Sequence, residues 1–446
     1  MDQVTLKADL VVMGGGIAGH AIIHEAATRG LTGVVIENGV IGQSHYATGF
    51  LSPRPDYLPQ DIDSVRETAG ECLKWAELFP EVVKEKILLV LIGPNTPYSF
   101  ETFEGLLKLY DSVAAKRFHP PMKEHSRISR AELERMEPIL KKNHFNGAFG
   151  LQEWMVEPDE LLKAVWQRTL SLNSNCRRIL IKFVAGYVIL KNVIREIHLV
   201  TKSGQHVKIE SGSNPLVVIN TAGPWIGQVA KALGIDIPLS FRLGVQAAVP
   251  GQYINSHIIA FGNDGKYIAF LQKEKYLQVG PTDTPFPQDI SKLLLHNHNE
   301  DVAYLNGALG EILEKPAFLQ AEFLKQGLRI GIEGLPANNR PFIWTPDASK
   351  KFPDNYFAVI PGKMALANLV AGELFQKLEE RELLPRSQYS FNSPVKSHGL
   401  DGGNRSKAGL QLLWNIFKSH AIVGLSLSLH LVTLSFKKVF YYKNPD

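Results

Sequence analysis

The stretch LVVMGGGIAGHAIIHEAATRGLTGVVIE, residues 10–37, is the feature that most constrains the fold of this chain. An apolar run at 10–13 ends in a G-x-G-x-x-G turn, a helix-forming segment follows, and a second apolar run at 34–36 ends in Glu37. Short continuous apolar runs bounded by glycine are typical of buried parallel strands. The pattern therefore predicts a β-α-β unit that binds a dinucleotide.

Each glycine of the turn has a physical role in binding a dinucleotide. Gly14 permits the tight turn, Gly16 lets a pyrophosphate approach the backbone, and Gly19 lets the helix pack close to the strand. The N-terminus of the helix supplies N–H groups and a partial positive charge for the phosphates. Glu37, 18 positions after Gly19, is placed to accept hydrogen bonds from a ribose diol and disfavours a 2′-phosphate. The pattern predicts FAD or NAD without separating them, and an ordinary β-α-β turn without a ligand is the alternative.

The composition is that of a globular protein with more than one domain. The chain has 446 residues, of which 45% are hydrophobic and 21% charged, and its net charge is +4. No block of lysines and arginines resembles a nucleic-acid surface, so we expect no nucleic-acid partner. Cys72 and Cys176 lack the spacing of a metal site, and we expect no metal and two buried thiols of a cytoplasmic protein. Because the fingerprint begins so near Met1, no signal peptide is expected.

Strand-like patterns return far from the fingerprint. Apolar runs at 216–220 and 356–360 are typical of further buried strands, and the segments 178–219 and 240–285 alternate like antiparallel strands. The nucleotide-binding domain is therefore predicted to be discontinuous, with antiparallel material inserted between its pieces. The active site is then expected between a parallel sheet and a second sheet.

Helices are predicted between these strands. Residues 63–84 and 101–117 have helical patterns, and SRAELERMEPIL begins with Ser129 three residues before a glutamate, as in a capping box. VEPDELLKAVWQRTL carries Pro158 in the first turn of another predicted helix. The segment 289–313 is predicted to be helical as well.

Motifs beyond the fingerprint resemble a known family. VEPDEL at 156–161 and VVINTAGPW at 217–225, with a C-terminal glycine turn, resemble the FAD-dependent D-amino-acid oxidase superfamily. DGKYIAFLQKEKYLQVGPTDTPFPQD is similar to the segment of FAD-dependent glycerol-3-phosphate dehydrogenases in which a strand ends in G-T-T-D-T. QGLRIG and VIPGKMALANLVAGE resemble that family's G-V-R-P segment and its G-G-K-x-T-T turn. The residues that match these motifs are Gly280, Thr282, Asp283, Thr284, Arg329, Gly362 and Lys363.

The resemblance covers about residues 8–385 and implies a mixed α/β architecture. This fold has a discontinuous, Rossmann-like FAD-binding domain with an inserted substrate domain built on a mixed and antiparallel sheet. The implied boundaries are an oxidoreductase region at 1–395, its FAD domain at approximately 1–80, 150–238 and 325–385, its substrate domain at approximately 81–149 and 239–324, and a linker with an apolar tail at 396–446.

The resemblance also implies, position by position, which residues bind the cofactor. The backbone N–H groups of the turn at 362–364 would lie near the flavin O2 and stabilise negative charge on the reduced ring. The residues that would bind FAD are Gly14, Gly16, Ile17, Ala18, Gly19, Glu37, Asn38, Ser44, Thr48, Gly49, Val184, Gly223, Trp225, Gly362, Lys363 and Met364.

The sequence departs from the glycerol-3-phosphate dehydrogenases beside the expected substrate position. Those enzymes carry a His-Gly-Gly-Leu-Arg-Tyr stretch below the flavin. In the corresponding FLSPRPDYL, Ser52 and Asp56 replace the His and the Arg, while Tyr57 is kept. Two threonines of the later glycine turn become Ala365 and Leu366. A G-x-L-x-P pattern such as GFLSP is similar instead to the amino-acid-oxidising branches.

Three residues are candidates for the chemistry. Arg329 is expected to hold the substrate, because a guanidinium fork binds a carboxylate or phosphate by two parallel bonds, and the alternative is a structural ion-pair arginine. Lys363 is either a phosphate or flavin contact or a lysine in water at a helix start. His45 lies in the loop expected near the flavin and is a candidate base, and the alternative is a packing histidine. Arg54 could replace the arginine missing at 56, or be a solvated loop residue.

The sequence thus predicts an FAD-dependent oxidoreductase that removes a hydride from a small anionic substrate, most like glycerol 3-phosphate. Quinone or oxygen would accept the electrons. An amino-acid or amine oxidase or dehydrogenase of the same superfamily is one alternative, and a flavin-binding protein with a degenerate substrate site is another. Residues 419–436 contain no Asp, Glu, Lys or Arg, so the tail is expected to contact the inner face of a membrane peripherally, to pack against the protein or to be disordered.

Overall fold

The predicted β-α-β unit is present at the start of the chain. In the computed structural model of the protein, a strand at Leu10–Met13, a helix at Ile17–Thr28 and a strand at Gly33–Glu37 follow one another, and the two strands pair in parallel. Gly30, just after the helix, has a φ of 72°. This left-handed conformation favours glycine and ends the helix as predicted.

The structure describes residues 3–385 except 41, 54, 56–57, 59–60, 115, 117, 119–120, 213, 315–318, 335–340 and 347–351. The strands of this part of the chain are β1 (Val4–Ala8), β2 (Leu10–Met13), β3 (Gly33–Glu37), β4 (Phe50–Leu51), β5 (Lys84–Ile92), β6 (Ser126–Ser129), β7 (Gly147–Met155), β8 (Arg177–Leu190), β9 (Val193–Thr201), β10 (His206–Ser211), β11 (Val217–Asn220), β12 (Leu239–Pro250), β13 (His257–Phe261), β14 (Tyr267–Gln272), β15 (Tyr276–Gly280), β16 (Thr284–Phe286), β17 (Glu322–Ile332), β18 (Phe342–Trp344) and β19 (Tyr356–Ile360). Its α-helices are α1 (Ile17–Thr28), α2 (Ile62–Leu78), α3 (Phe100–Val113), α4 (Arg130–Met136), α5 (Pro158–Leu172), α6 (Ile226–Lys231), α7 (Asn299–Ile312) and α8 (Ala367–Glu380).

The first sheet has a parallel centre. Its strand order is β1-β10-β9-β8-β3-β2-β11-β19-β18 within the described residues, and β3, β2, β11 and β19 run parallel to one another. Every residue of β11 and β19 is buried, as the apolar runs at 216–220 and 356–360 predicted. The chain therefore leaves this sheet twice and returns to it, so the dinucleotide-binding fold is discontinuous.

The second sheet is mostly antiparallel and is built from the segments between those returns. Its order is β16-β12-β15-β14-β13-β5-β7-β4, with β17 paired to β12 and β6 paired to β7. The long β12–β17 pair sets Arg242 directly opposite Arg329. The fold is thus the expected mixed α/β architecture with an inserted mixed sheet, and the domain boundaries given above stay predictions.

The prediction of a helix over 63–84 is wrong at its end. Helix α2 stops at Leu78, and Phe79 leaves the helical region with φ −134° and ψ 56°. Phe79 precedes Pro80, and the residue before a proline is sterically hindered from the α conformation. The following segment forms β5, a strand that the sequence patterns did not predict.

The prediction of an uninterrupted helix over 289–313 is also wrong. A short 3-10 helix at Ile290–Leu295 ends before His296, and α7 begins three residues later. The Asn297 side chain accepts a hydrogen bond from the Asn299 backbone N–H at 3.1 Å. Asparagine commonly forms such turns in competition with helix, and the break directs His296 back toward the first turn of α7.

One face of the first sheet packs on helices. Residues of α1, α2, α3, α5 and α8 share a buried core with β2, β3, β11 and β19. Trp75 of α2 is fully buried there, and its indole N–H donates to the Ala365 carbonyl oxygen at 2.9 Å. This bond ties α2 to the turn between β19 and α8, which is the predicted glycine turn at 362–364.

Candidate functional site

A cavity of about 600 Å³ lies where the two sheets meet. One wall is the carboxyl-terminal edge of the parallel strands, and the other is formed by β12, β13, β14 and β17. Crevices at this edge of parallel sheets are where α/β proteins bind ligands. Of the predicted cofactor residues, those that line the cavity are Gly14, Gly16, Ile17, Ala18, Glu37, Asn38, Ser44, Thr48, Val184, Gly223, Trp225, Gly362, Lys363 and Met364.

Gly19 and Gly49 are the two predicted residues that lie outside the lining. A Cβ at position 19 would lie 2.0 Å from the Gly14 carbonyl oxygen, so Gly19 lets α1 pack on the turn, which is the role expected of it. Gly49 has a φ of 78°, and a Cβ there would lie 2.0 Å from the Val156 carbonyl oxygen. Gly49 therefore permits a close backbone contact behind the cavity.

The turn itself leaves no room for side chains. Gly14 has a φ of 115°, and a Cβ there would lie 2.6 Å from the Thr221 carbonyl oxygen of the neighbouring strand. A Cβ on Gly15, the central glycine of the three at 14–16, would lie 2.0 Å from the Glu37 carboxylate. The backbone of the turn is therefore bare on the cavity side and closely packed behind it.

Ser44 caps the start of α1. The Ile17 backbone N–H donates to the Ser44 hydroxyl at 2.9 Å, and a Cβ on Gly16 would lie 3.0 Å from the same oxygen. A hydroxyl accepting from a helix N-terminus satisfies one of its unpaired donors. Ser44 belongs to the loop at 42–48, so this hydrogen bond joins that loop to the glycine turn.

The carboxylate of Glu37 forms an ion pair with a residue that sequence reasoning missed. The Arg178 Nη2 donates to Glu37 Oε2 at 3.1 Å, and β8 carries Arg178 beside β3 in parallel register. The Arg178 side chain is 41% exposed and that of Glu37 is 14% exposed. Two adjacent arginines in the sequence give no signal that one of them meets Glu37, because the contact depends on strand pairing.

Hydrogen bonds join the loop at 42–48 to the second sheet. The Gln43 Oε1 accepts from the Leu328 backbone N–H at 2.6 Å, the Gln246 Nε2 donates to the Tyr46 carbonyl oxygen at 2.7 Å, and the Lys325 ammonium donates to the Ala47 carbonyl oxygen at 2.9 Å. Burial lowers the pKa of Lys325 below its ordinary value. Glutamines have no sequence motif for this role, so these contacts were not predictable.

His45 of this loop lines the cavity and is paired with a carboxylate that lies outside the lining. Its Nδ1 pairs with the carboxylate of Asp159 in the first turn of α5. The side chain of His45 is 32% exposed and that of Asp159 is 76% exposed. The candidate base is therefore a partly solvated histidine held by a carboxylate.

Lys363 lines the cavity, and its ammonium group also reaches helix α2. Its Nζ donates to the Thr68 hydroxyl of α2 at 3.4 Å. Gly362 has a φ of 71° and begins the turn that precedes α8.

Arg329 lies on the cavity wall at the centre of a charged cluster. Its Nη1 lies 3.2 Å from Asp283 Oδ1, and its Nη2 donates to the Thr282 carbonyl oxygen. Arg242 donates through Nε to the same Asp283 oxygen at 2.7 Å and through Nη2 to the Asp283 carbonyl oxygen at 2.9 Å. Burial alone raises the pKa of Asp283, but the hydrogen bond from Arg242 and the charges of the two arginines outweigh it and lower that pKa.

Gly244 leaves the space that the Arg329 guanidinium occupies, because glycine has no side chain. A Cβ on Gly244 of β12 would lie 3.0 Å from Arg329 Nη2 and 3.2 Å from Pro281 Cβ. The cluster holds two guanidinium groups and one carboxylate, so it has a net charge of +1. Arg329 is thus an ion-paired arginine and a cavity residue at once, and Arg242 is a partner that only the register of β12 and β17 reveals.

Some residues singled out in the sequence lie outside the described part of the chain. These are Arg54, Asp56 and Tyr57 and the tail at 396–446. Among residues 3–385, with the gaps given above, no helix combines the length and apolar character needed to cross a bilayer. In the same residues, no group of three or more His, Cys, Asp or Glu side chains could hold a metal ion.

A discontinuous dinucleotide-binding fold with a cavity between two sheets defines a class of nucleotide-dependent enzymes. The sequence model of the family "FAD dependent oxidoreductase" matches residues 9–360 of the chain. The chain belongs to this family of FAD-dependent oxidoreductases, and FAD is its cofactor.

Relatives and solved structures agree with this membership. The chain is 24% identical over 331 residues to the alpha-glycerophosphate oxidase of Streptococcus pyogenes serotype M1, covering 68% of this chain and 50% of that protein. It therefore spans about half the length of the curated relatives it matches. Among solved structures, the FAD complex of the glycerol-3-phosphate dehydrogenase from Bacillus halodurans is similar with a TM-score of 0.63 and 17% identity, covering 85% of this chain and 66% of that one. The L-proline dehydrogenase from P. horikoshii is similar with a TM-score of 0.65 and 18% identity, covering 86% and 96%.

Proposed function

We propose that this FAD-dependent oxidoreductase removes a hydride from a small anionic substrate, most like glycerol 3-phosphate, and passes the electrons to oxygen or a quinone. The observation that carries the proposal is the position of Arg329 on the wall of the cavity that bears the dinucleotide-binding turn. A fixed cation there would orient an anionic substrate for hydride transfer. Bound FAD supplies the hydride acceptor.

The residues proposed to hold FAD are those of the cavity lining. Bare backbone at the glycine turn and the N-terminus of α1 suit a pyrophosphate, and the Glu37 carboxylate suits a ribose diol. Gly223, Trp225 and residues 362–364 belong to the same cavity lining, and we propose that they contact the isoalloxazine ring. The size of the cavity, about 600 Å³, supports a large cofactor.

The charge of the Arg329 cluster supports an anionic substrate. Asp283 offsets one of two guanidinium groups, which leaves one positive charge beside the cavity. Arginine binds carboxylate and phosphate oxygens through paired N–H donors. Glycerol 3-phosphate is the anion we favour, because the relatives named above are an alpha-glycerophosphate oxidase and a glycerol-3-phosphate dehydrogenase.

A second candidate function is oxidation of an amino acid or amine. It is favoured by the apolar wall that β13 and β14 contribute to the cavity through Ile259, Ala269 and Leu271. Such a wall would suit an apolar side chain on a carboxylate substrate, and Ser52 stands where the dehydrogenases have histidine. Arg329 would then bind the carboxylate.

Anaerobic photometry of the flavin distinguishes these functions. The purified yellow protein is mixed without oxygen with glycerol 3-phosphate, with a panel of amino acids and with buffer alone. Bleaching by glycerol 3-phosphate supports the first proposal and bleaching by amino acids the second. Bleaching by neither, in a protein that dithionite reduces fully, indicates a flavin-binding protein with a degenerate substrate site.

Arg329→Ala is the matched variant for the same measurement. Loss of a bidentate charged contact leaves the substrate anion unpaired, so kcat/KM should fall by a factor that corresponds to about 2–5 kcal/mol. The FAD content should be unchanged. Near-normal reduction of the variant would remove Arg329 from the substrate site.

The proposed electron acceptor and the proposed membrane contact are linked. A quinone acceptor requires access to a bilayer, and the apolar tail at 396–446 is the proposed peripheral contact. Deletion of residues 404–446 should release the protein from membranes and leave its flavin content unchanged. Retention of the truncated protein on membranes would contradict the tail's role.

A further inference from the structure

A chain of hydrogen bonds leads from Arg329 away from the cavity to the start of helix α7. The Arg329 Nη2 donates to the Thr282 carbonyl oxygen. The Thr282 hydroxyl in turn donates to Asp301 Oδ1 at 2.9 Å, and Asp301 Oδ2 pairs with His296 Nε2 at 2.8 Å. Thr282 is 5% exposed and Asp301 is 8% exposed, so solvent has little access to the middle of the chain.

The direction of the central hydrogen bond is fixed by its neighbours. The Thr282 hydroxyl accepts from the Val245 backbone N–H at 2.9 Å, and the Thr282 N–H donates to the Val245 carbonyl oxygen at 2.9 Å. A hydroxyl has one proton, and an ionised carboxylate only accepts. The proton of Thr282 is therefore donated to Asp301, and this hydrogen bond joins the segment to α7.

This segment carries both contacts that orient the guanidinium of Arg329. Thr282 offers the carbonyl oxygen to Nη2, and the adjacent Asp283 offers a carboxylate oxygen to Nη1. With these two nitrogens fixed, the plane of the guanidinium is set. That plane determines the directions in which its remaining N–H groups can donate hydrogen bonds. Asp301 sits in the first turn of α7 and does not line the cavity.

We propose that Asp301 is a positioning residue for anion binding by Arg329, acting through Thr282. The proposal rests on the proposed function, in which Arg329 binds the substrate anion. His296 holds the second oxygen of Asp301 and so fixes the rotation of the carboxylate. The effect reaches the substrate only through the orientation of the guanidinium, which stays present and charged, so it should raise KM more than it lowers kcat.

The test uses the FAD-loaded full chain and variants in matched pairs. Asp301→Ala and Thr282→Val remove the hydrogen bond, whereas Asp301→Asn and Thr282→Ser keep the acceptor oxygen and the hydroxyl. Asp264→Ala is the control, because the Asp264 carboxylate accepts from Tyr304 of the same helix α7 at 3.0 Å. Each variant is first compared for FAD content and thermal unfolding.

Three quantities are measured for each variant: KM and kcat for glycerol 3-phosphate, and the dissociation constant of inorganic phosphate from the change in flavin absorbance. For Asp301→Ala and Thr282→Val we expect both KM and that constant to rise about tenfold with kcat within about twofold. The conservative variants and Asp264→Ala should stay within about twofold of the parent. In an Arg329→Ala background, Asp301→Ala should have no further effect, since the group it positions is gone.

The outcomes separate this proposal from the proposed function. If Arg329→Ala weakens binding but Asp301→Ala and Thr282→Val match Asp264→Ala, the positioning role is overturned and the proposed function stands. An equal effect of Asp301→Ala with and without Arg329 would make its role structural and overturn the proposal. If neither probe binds the parent protein, or Arg329→Ala binds both normally, the proposed function fails and the positioning role with it.

Discussion

Arg178 and Glu37 form an ion pair at the edge of the cavity although 141 positions separate them in the sequence, with 3.1 Å between Nη2 and Oε2. The guanidinium limits the rotation of the carboxylate that is proposed to accept hydrogen bonds from the ribose of FAD. The glutamate alone is what the fingerprint predicts. Its orientation depends on a residue of β8.

Arg178→Ala should weaken FAD binding only modestly. The arginine is partly exposed, and exposed ion pairs contribute about 0.2–1 kcal/mol, so we expect the dissociation constant of FAD to rise about two- to fivefold. Fluorescence titration of the apoprotein with FAD measures this change. Arg177→Ala is the control, because Arg177 bonds to backbone carbonyl oxygens of Ser174 and Cys176 instead of Glu37. Equal effects of the two variants would contradict the role of Arg178.

Gly16→Val should abolish flavin binding and leave the fold intact. Gly16 has an ordinary φ of −73°, so the variant suffers no backbone strain, but its side chain would enter the space beside Ser44 Oγ where the pyrophosphate is proposed to lie. The purified variant is expected to be colourless, because it lacks the absorbance of an oxidised flavin at about 450 nm. Gly186→Val, at a position with open space around it, serves as control. Full flavin absorbance in the Gly16 variant would contradict the proposed position of the pyrophosphate.

Gly244→Val should reproduce part of the Arg329→Ala effect without removing the charge. The new side chain would crowd Arg329 Nη2 and Pro281, so the guanidinium must shift from its present position. We expect kcat/KM for the reducing substrate to fall by at least about tenfold with the FAD content retained. Flavin reduction kinetics measure it, and unchanged kinetics would show that the position of Arg329 is unimportant.

Glu71 should make the protein less stable as the pH rises from 4.5 to 7. Burial raises the pKa of this carboxyl from 4.5 to about 7, against a hydrogen bond from the Leu369 backbone and the charge of Lys74. In that window the folded protein keeps a proton that the unfolded chain has lost, so the free energy of unfolding falls with increasing pH. A shift of this size corresponds to about 3 kcal/mol.

Glu71→Gln keeps the shape of the side chain and removes this titration. The variant should gain stability over the parent at pH 8 and show little gain at pH 4.5, as measured by urea unfolding at the two pH values. If the free energies of unfolding of variant and parent differ equally at both pH values, Glu71 does not titrate in the folded protein as described.

The parts of the molecule that follow from local pattern were predictable. The glycine turn, the two flanking strands, the Ser129 cap of α4 and the returning strands at 216–220 and 356–360 each depend on neighbouring residues and on burial. The break at His296 depends on an asparagine side chain that competes with helix, and β5 on a proline that ends α2. Both signals are present in the sequence and were outweighed by helical periodicity.

The site contacts depend on strand register, which local pattern does not specify. Arg242 meets Asp283 because β12 pairs with β16, the strand that directly follows Asp283, and it lies opposite Arg329 because β12 also pairs with β17. The pair of His45 and Asp159 joins two segments that are 114 positions apart. Sequence reasoning could therefore identify Arg329 as a candidate and could not identify its partners.

The hydrogen bonds between the loop at 42–48 and the second sheet determine when the cavity can be completed during synthesis. Its anchors Gln246, Lys325 and Leu328 emerge from the ribosome long after the loop itself, and the turn at 362–364 emerges later still. A nascent chain that has produced only its first βαβ unit thus presents a glycine turn with one side of the cavity missing. Acquisition of the flavin should be a late event that reports completion of the oxidoreductase region, and chains released early should remain colourless.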